Sequence, residues 1–431
     1  MLDLEWLLSP FDKGRFFDEV WQKKPEVIAT ARHGHLTGLF DKEALERVLE
    51  YSQPKPPSVR LASAASEQGA EVPFSPNGRI NMDRLRKLYL EGYTVILNSV
   101  EDFDPAVSRL ARSIETEMGA RVQVNCYLTP ASAQGFNRHY DTHDVLVAQV
   151  EGEKLWKVYG RDAACPLNEL IDGDPRLAEV VHPPEEIRLA PGDILYIPRG
   201  WVHEAITDRA ASLHLTLGLH PPVGKDLLMA ALEALVGSHP ELREALPIGP
   251  LDTPARRQSL ETRFARLVEL FASHASAAEA ARAIDDQMLR RGRSGGDGHL
   301  FQDVEALGGL TAHSLLERRT DLPCRVVEMD DGIGLQFLNG LIKGPAAFKA
   351  AMDFLATCDE PFTPADLPGL PAEHQLVFAS SLVSDGLCRL RARNGASLSH
   401  RPRSSRAEVV AGVNPNAGSP EAVWAESALR H

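Results

Sequence analysis

No run of apolar residues in the 431-residue chain approaches the ~18 needed to cross a bilayer as a helix. The five cysteines (Cys126, Cys165, Cys324, Cys358 and Cys388) are scattered and form no CxxC pair. That spacing argues against a disulfide scaffold and against a cysteine zinc site. Basic residues are in the minority: 46 Lys and Arg against 60 Asp and Glu leave a net charge of −14. A broad basic face for nucleic acid is therefore not expected. The stretch Met1–Phe17 has early acids and no basic segment leading into an apolar one, so it does not read as a secretion signal, and the cytoplasm is the expected location. No internal repeat is visible. What remains is an ordinary globular composition, 43% hydrophobic and 25% charged, long enough for roughly two to four domains.

Residues 1–50 carry apolar positions at helical spacing, first Leu2, Leu4, Leu7 and Leu8, then Phe16, Phe17, Val20 and Trp21. Residues 51–80, rich in Ser, Pro, Gly and Ala, suggest loop with short strands. Helix is expected over 81–119 around one strand, Tyr93–Leu97. From 120 to 220 the period changes to two. Val122, Val124 and Cys126 alternate with Arg121, Gln123 and Asn125. Short apolar runs follow at Val145–Ala148, Leu155–Tyr159, Ile187–Leu189, Asp193–Ile197 and Leu213–Leu217, separated by turn residues. That rhythm predicts an all-β barrel or sandwich. Beyond Pro221-Pro222 the pattern is helical to about Arg290, with Leu227, Leu228, Ala231, Leu232 and Leu235 on one face. Arg290–Gly298 reads as a linker, and 300–395 mixes helices with strands at Cys324–Met329 and Gly332–Leu338. Residues 396–431, with Trp424 as their one aromatic, read as a disordered tail.

Chemistry is concentrated in Asn137-Arg138-His139-Tyr140-Asp141-Thr142-His143-Asp144 and in Gly200-Trp201-Val202-His203-Glu204. On a strand, residues i and i+2 share a face, so His139 and Asp141 could reach one metal ion together. A distant His203 could complete a two-histidine, one-carboxylate set, which suits Fe(II) and leaves three positions open. The tripeptide alone is a weak signal, and polar residues at a strand end are its ordinary reading. The barrel context raises its weight, as does the turn–strand–turn of Pro191–Pro198 that leads into His203. Lys154 begins an otherwise apolar strand, Leu155-Trp156, where an inward ammonium needs an anion. His143 shares the parity of His139 and Asp141 if the strand is regular. A rival ligand, a group behind the ligands and a substrate contact all stay open for it. Trp156 and Trp201 read as packing, and Glu204 as a rim residue.

Asn125–Gly160, Gly192–Ile206 and Ser212–His220, with Phe16-Phe17 and Trp21-Gln22-Lys23-Lys24-Pro25 upstream, resemble the JmjC-type (cupin-like) ribosomal oxygenases, Fe(II)- and 2-oxoglutarate-dependent protein hydroxylases. The resemblance covers roughly 1–395 and is strongest over 120–220. It implies an α+β fold whose core is a double-stranded β-helix, the cupin/JmjC jelly roll, with N-terminal helices. It further implies a catalytic domain over 1–221, a helical dimerisation region over 222–298 and a winged-helix-like domain over 299–395. His139, Asp141 and His203 match the family's iron ligands. Lys154 matches the residue that pairs with the distal carboxylate of 2-oxoglutarate. Asn125, Tyr127, His214 and Thr216 match the wall of that pocket, although a hydrogen-bonded core histidine describes His214 equally well. The implied reaction uses Fe(II), 2-oxoglutarate and dioxygen, releases succinate and hydroxylates an unactivated C–H.

The substrate implied is an Arg or His side chain of a ribosomal protein, and the implied assembly is a homodimer. A biosynthetic peptide or free amino acid is the alternative substrate, and a non-catalytic cupin-like binding scaffold the alternative role. Demethylation of a histone-type target has no reader motif in its favour. Within 299–395, Phe362–Leu367 is expected to open a helix, and Ala372–Ser384 to form the next, in the place of a recognition helix. That second helix carries Glu373, His374 and Gln375 but no Arg or Lys. Phosphate neutralisation drives nucleic-acid affinity, so a structural or protein-docking role is expected there. Arg290, Arg291 and Arg293, and separately Arg318 and Arg319, could contact ribosomal RNA or an acidic partner; a solvated linker explains them equally well.

Overall fold

The computed structural model describes residues 2–28, 34–161, 166, 183–246, 248–291, 300–319, 322–338 and 340–391. The tail expected over 396–431 and most of the linker expected before Gly298 lie outside the described residues. Two compact units result, Met1–Met288 and Leu289–His431.

The first unit is built on an eight-stranded sheet in the order β1 (Glu26–Ile28), β9 (Ile194–Ile197), β6 (Asp144–Glu151), β11 (Ser212–His220), β5 (Arg121–Thr129), β4 (Thr94–Leu97), β2 (Val59–Ser63), β3 (Ser66–Ala70). A second sheet pairs β10 (Trp201–Ile206), β7 (Lys154–Arg161) and β8 (Glu185–Leu189). Period-two alternation sorts each strand's side chains between two environments. On one face of the large sheet Val122, Val124, Cys126, Leu146, Ala148, Leu213, Leu215 and Leu217 join a core with Leu4, Leu7, Leu8 and Phe16. Helix Pro105–Met118 adds Val107, Leu110, Ala111 and Ile114 to that core. Its stop and start are written locally. Asp104 accepts from the backbone N–H groups of Ala106 and Val107, Pro105 opens the first turn, and Gly119 closes the helix at a φ of 57°. The other face of the sheet meets β7 and β8. Val145, Val147, Leu195 and Ile197 pack there on Trp156, Val158, Ile187 and Leu189. This is the jelly-roll interior, and the remaining polar positions of β5, β7 and β11 look into it.

The strands expected from the period-two region are present. Differences arise where pairing is non-local. β1 falls inside a stretch whose apolar spacing predicts only helix, because three residues pair with β9 far along the chain. In the helical region after Pro222, Ala231 and Leu235 are buried while Leu228 is 60% and Leu232 40% exposed, so only part of the expected apolar face is covered within the chain.

The second unit has a three-stranded meander, β13 (Cys324–Met329), β14 (Gly332–Phe337) and β15 (Gly340–Gly344), and a ribbon of β12 (Leu316–Arg318) with β16 (Cys388–Leu390). Helices Lys349–Thr357 and Ala372–Ser384 pack on its core of Leu335, Phe337, Met352, Leu355, Phe378 and Leu382. The helix expected to open at Phe362–Leu367 is instead a single 3-10 turn, Pro364–Asp366, which Asp366 caps back onto Thr363. Arg318 is not a free cation: its guanidinium donates to the Cys358 carbonyl (2.7 Å) and to Asp359 (2.6 Å). Leu215 sits at the middle of β11, wholly buried between Cys126 and Ala148. Leu215→Ala is expected to cost about 2–5 kcal/mol, read as a lower urea midpoint at unchanged slope.

Candidate metal centre

His139 and Asp141 do not lie on a regular strand, as their spacing suggests. They occupy the loop between β5 and β6, where His139 forms an isolated antiparallel bridge with His203 of β10. Both backbone hydrogen bonds of that bridge are made, His139 N to His203 O at 3.0 Å and His203 N to His139 O at 2.7 Å. Gly200 N donates to the Asp141 carbonyl (2.9 Å), which ties the same two segments a second time. A bulge opposite Val202/His203 resets the alternation of β10, pairing Val202 with Gly160 and His203 with Val158. The neighbouring Glu204 accepts from Gln134 Nε2 (2.9 Å) and from the Tyr159 hydroxyl, so it braces the loop and is no ligand.

The resulting side-chain geometry suits a metal. His139 Nδ1 lies 2.8 Å from the Asn137 carbonyl, and His203 Nδ1 lies 2.9 Å from the Trp201 carbonyl. Carbonyls only accept, so each Nδ1 carries the proton and each Nε2 presents a bare lone pair. His203 Nε2 is 3.6 Å from Asp141 Oδ2, the two imidazole centroids are 4.5 Å apart, and the three ligand atoms all lie within 4.8 Å of one another. Donors at right angles about 2.1 Å from one ion would sit about 3 Å apart, so small adjustments suffice. Burial, followed by the proximity of His139, holds His203 down at about 4 against the pull of Asp141, which keeps the imidazole neutral. Burial acts to raise Asp141, but the surrounding imidazoles, His203 foremost, hold it below the usual carboxylate range.

The interior behind the triad is a polar pocket in an apolar shell. β5 directs Asn125, Tyr127 and Thr129 inward, and β11 directs His214 and Thr216. Tyr127 stacks on His214 (4.9 Å, 7°), and Trp156 stands edge-on to His214 (5.5 Å) and 5.9 Å from His203. Lys154, 4% exposed, donates to Thr129 Oγ1 at 3.0 Å, and no carboxylate lies within ion-pair reach of it among the described residues. Burial alone pushes its ammonium down to about 7. His214 lies well below the ordinary imidazole value, through burial and then Lys154, while burial and then Asp141 push the Tyr127 phenol up. Two buried donors or acceptors here, His214 Nδ1 and Trp156 Nε1, have no hydrogen-bond partner among the described residues. A buried cation and orphaned polar atoms around one space fit a small polar anion.

The pocket thus gathers Asn125, Tyr127, Lys154, His214 and Thr216, all singled out from the sequence. Thr129 and Trp156 were not assigned to it. For Thr129 the signal was available, since it continues the parity of Asn125 and Tyr127. His143 is not part of the triad: the loop breaks the parity on which its claim rested, and its ring stacks on His220 (4.4 Å) over Gly218. Beside the His139 loop runs a cleft of about 520 Å³, lined among others by Arg60, Ala62, Ser66, Glu71, Phe136 and Asn137.

Residues 97–227 match the family model of the JmjC domain. Ribosomal oxygenase 1 of Rattus norvegicus is 32% identical over 253 residues, 56% of this chain and 42% of that protein. A bifunctional lysine-specific demethylase and histidyl-hydroxylase of Drosophila pseudoobscura pseudoobscura is 29% identical over 256 residues, 57% of this chain and 26% of its own length. The chain therefore spans well under half of these relatives. The crystal structure of Escherichia coli ribosomal oxygenase YcfD superposes with a TM-score of 0.51 at 18% identity, covering 88% of this chain and 98% of that one, so the two share a fold. A second structure of that protein, in complex with cobalt and 2-oxoglutarate, gives a TM-score of 0.50 at 18% identity, covering 89% of this chain and 99% of that one.

The protein is expected to bind one equivalent of Co(II) with visible d–d absorption. His139→Ala and Asp141→Ala should abolish the absorption, and His143→Ala should retain it; loss in His143→Ala would make His143 a ligand.

Proposed function

We propose that the chain is an Fe(II)- and 2-oxoglutarate-dependent oxygenase that hydroxylates an Arg or His side chain of a ribosomal protein. The observation that carries this reading is the convergence of two tautomer-fixed histidines and one carboxylate on a jelly-roll interior whose far side holds a buried, carboxylate-free Lys154. When bound, the metal with 2-oxoglutarate and dioxygen supplies the oxidising power for C–H hydroxylation. The chain's own part is placement. His139, Asp141 and His203 would hold the ion and, as three ligands, would leave coordination positions for co-substrate. Lys154 and Thr129 would receive the distal carboxylate, with Asn125, Tyr127, His214 and Thr216 as walls. Leu189, Val147 and Trp156 keep the interior dry, which strengthens each of those polar contacts.

The open cleft beside the His139 loop favours a polypeptide over a free amino acid, since it offers far more surface than one side chain needs. The relatives named ribosomal oxygenases support a ribosomal protein as that polypeptide. Partner and location follow the same reading: the exposed Leu228, Met229, Leu232, Phe264 and Val268 of the 222–298 region suit a homodimer interface, and the cytoplasm is where ribosomes would be met. No helix among the described residues is long and apolar enough to cross a membrane. We assign 299–395 a winged-helix-like, protein-docking role, supported by the β12–β16 ribbon beside a helix, Ala372–Ser384, that lacks basic residues.

Comparing ribosomal proteins from the host with and without the gene, by intact mass and peptide fragmentation, tests the substrate. One specific Arg or His should lose an oxygen atom in the deletion strain and regain it with wild-type but not His139→Ala protein. Unchanged masses alongside steady conversion of 2-oxoglutarate to succinate would contradict the ribosomal substrate and leave the chemistry standing. The Lys154 environment makes a pH prediction. Free Lys154 titrates at about 7, and only its charged form pairs with a carboxylate, so binding above pH 7 must take up a proton. Affinity for 2-oxoglutarate should fall between pH 7 and 9, by at most about tenfold per unit. Lys154→Met should bind weakly and lose the dependence; a flat wild-type profile in anaerobic calorimetry would assign the carboxylate to another residue.

A further inference from the structure

Asp144 is a wholly buried carboxylate that the chemistry above does not use. It stands at the root of both arms that carry the metal ligands. β6 begins at Asp144, just after Asp141, and β9 ends at Ile197, just before the Arg199-Gly200 turn into His203; Val145 and Ile197 are paired between them. The Tyr196 hydroxyl donates to Asp144 Oδ1 (2.8 Å), and the hydroxyl oxygen of Tyr196 in turn accepts from Gln22 N (2.9 Å). Gln22 Nε2 approaches Asp144 Oδ2 (3.4 Å) and Arg199 N approaches Oδ1 (3.4 Å). Arg199 Nε, which makes no hydrogen bond among the described residues, lies 4.0 Å from Oδ2. Three segments distant in sequence therefore meet on one carboxylate. The N-terminal one is Trp21-Gln22, part of the motif noticed in the sequence and given no task so far.

By parity Asp144 shares the face of Leu146 and Ala148, the helix-covered side of the sheet and not the pocket side. It can act on the metal centre only through the backbone of the two arms. Docking of the N-terminal segment does not require it. Phe16 and Trp21 already pack on Tyr196, edge-on at 5.0 Å and stacked at 5.7 Å. Burying a carboxylate costs several kcal/mol unless its acceptors are well used, and an apolar side chain would hold the same aromatic contacts. What the carboxylate adds is direction: acceptors aimed at both arms at once. Gln22 adopts a φ of 56° to bring its N–H to the phenol.

We infer that Asp144 is a positioning residue for the metal centre, fixing the His139–Asp141 loop and the Arg199–His203 turn from the outer face of the sheet through Tyr196, Gln22 and Arg199. This inference rests on the reading of the triad as a metal site. Loss of an outer group that orients metal ligands weakens binding about 10–100-fold.

Co(II) titration of the full-length protein, followed by visible absorption, is the test, with thermal unfolding measured on the same samples. Asp144→Asn should weaken Co(II) binding about 10–100-fold, and Tyr196→Phe should weaken it less, in the same direction. Val20→Ala removes buried packing from the same N-terminal segment without touching the carboxylate. It should lower the melting temperature and leave Co(II) affinity unchanged. Wild-type affinity in both Asp144→Asn and Tyr196→Phe would overturn the inference, as would an equal loss of affinity in Val20→Ala. If Asp144→Asn does not fold, Tyr196→Phe against Val20→Ala decides. A wild-type protein that binds no Co(II) would instead overturn the metal reading on which this one stands.

Discussion

The site depends on one backbone contact, the isolated antiparallel bridge between His139 and His203. Neither residue's neighbours in sequence would bring the two imidazoles together. A loop has no regular pleat to aim its side chains, so the pair of N–H to carbonyl bonds at 3.0 and 2.7 Å substitutes for one. Everything chemical follows from that placement. The carbonyls of Asn137 and Trp201, each two residues before its histidine, then fall against the two Nδ1 atoms, and both Nε2 lone pairs converge with Asp141. The bulge in β7 opposite Val202/His203 and the Glu204 contacts to Gln134 and Tyr159 serve the same end, because a slip of one residue in β10 would turn His203 out of the interior.

A second constraint is dielectric. The jelly-roll interior is apolar enough to keep His203 neutral and to bring Lys154 near 7, and the two effects have opposite uses. A neutral imidazole is the form that ligates. A half-neutral ammonium with no carboxylate beside it is a destabilised group whose charge is restored when an anion arrives, so part of the burial cost returns on binding. His214 and Trp156, with unpaired polar atoms against the same space, are in a similar state. The protein holds strain of this kind where a ligand would relieve it.

Much of this was legible in the sequence. Alternation at 121–129 marked β5 and its two faces, and the apolar runs marked β6, β7, β8, β9 and β11. The ligand residue types were visible because two histidines and a carboxylate were placed next to strand signals. What failed was whatever depended on distant pairing. His139 and Asp141 looked like strand residues because i and i+2 spacing cannot distinguish a strand from a loop bridged to another segment. β1 was hidden because three residues carry too little pattern, and the Phe362–Leu367 segment looked helical although a Thr363–Asp366 cap closes it after one turn. The burial of Asp144 had no local signal at all, since the groups that receive it come from Gln22, Tyr196 and Arg199.

In the proposed reading, one chelate of metal and 2-oxoglutarate forms between the triad and Lys154. Anaerobic mixing of the protein with Fe(II) and 2-oxoglutarate, followed in the visible, addresses it most directly. A weak metal-to-ligand charge-transfer band is expected only when both are present, and none in His139→Ala. A band that persists in His139→Ala, or none in the wild type, would contradict it.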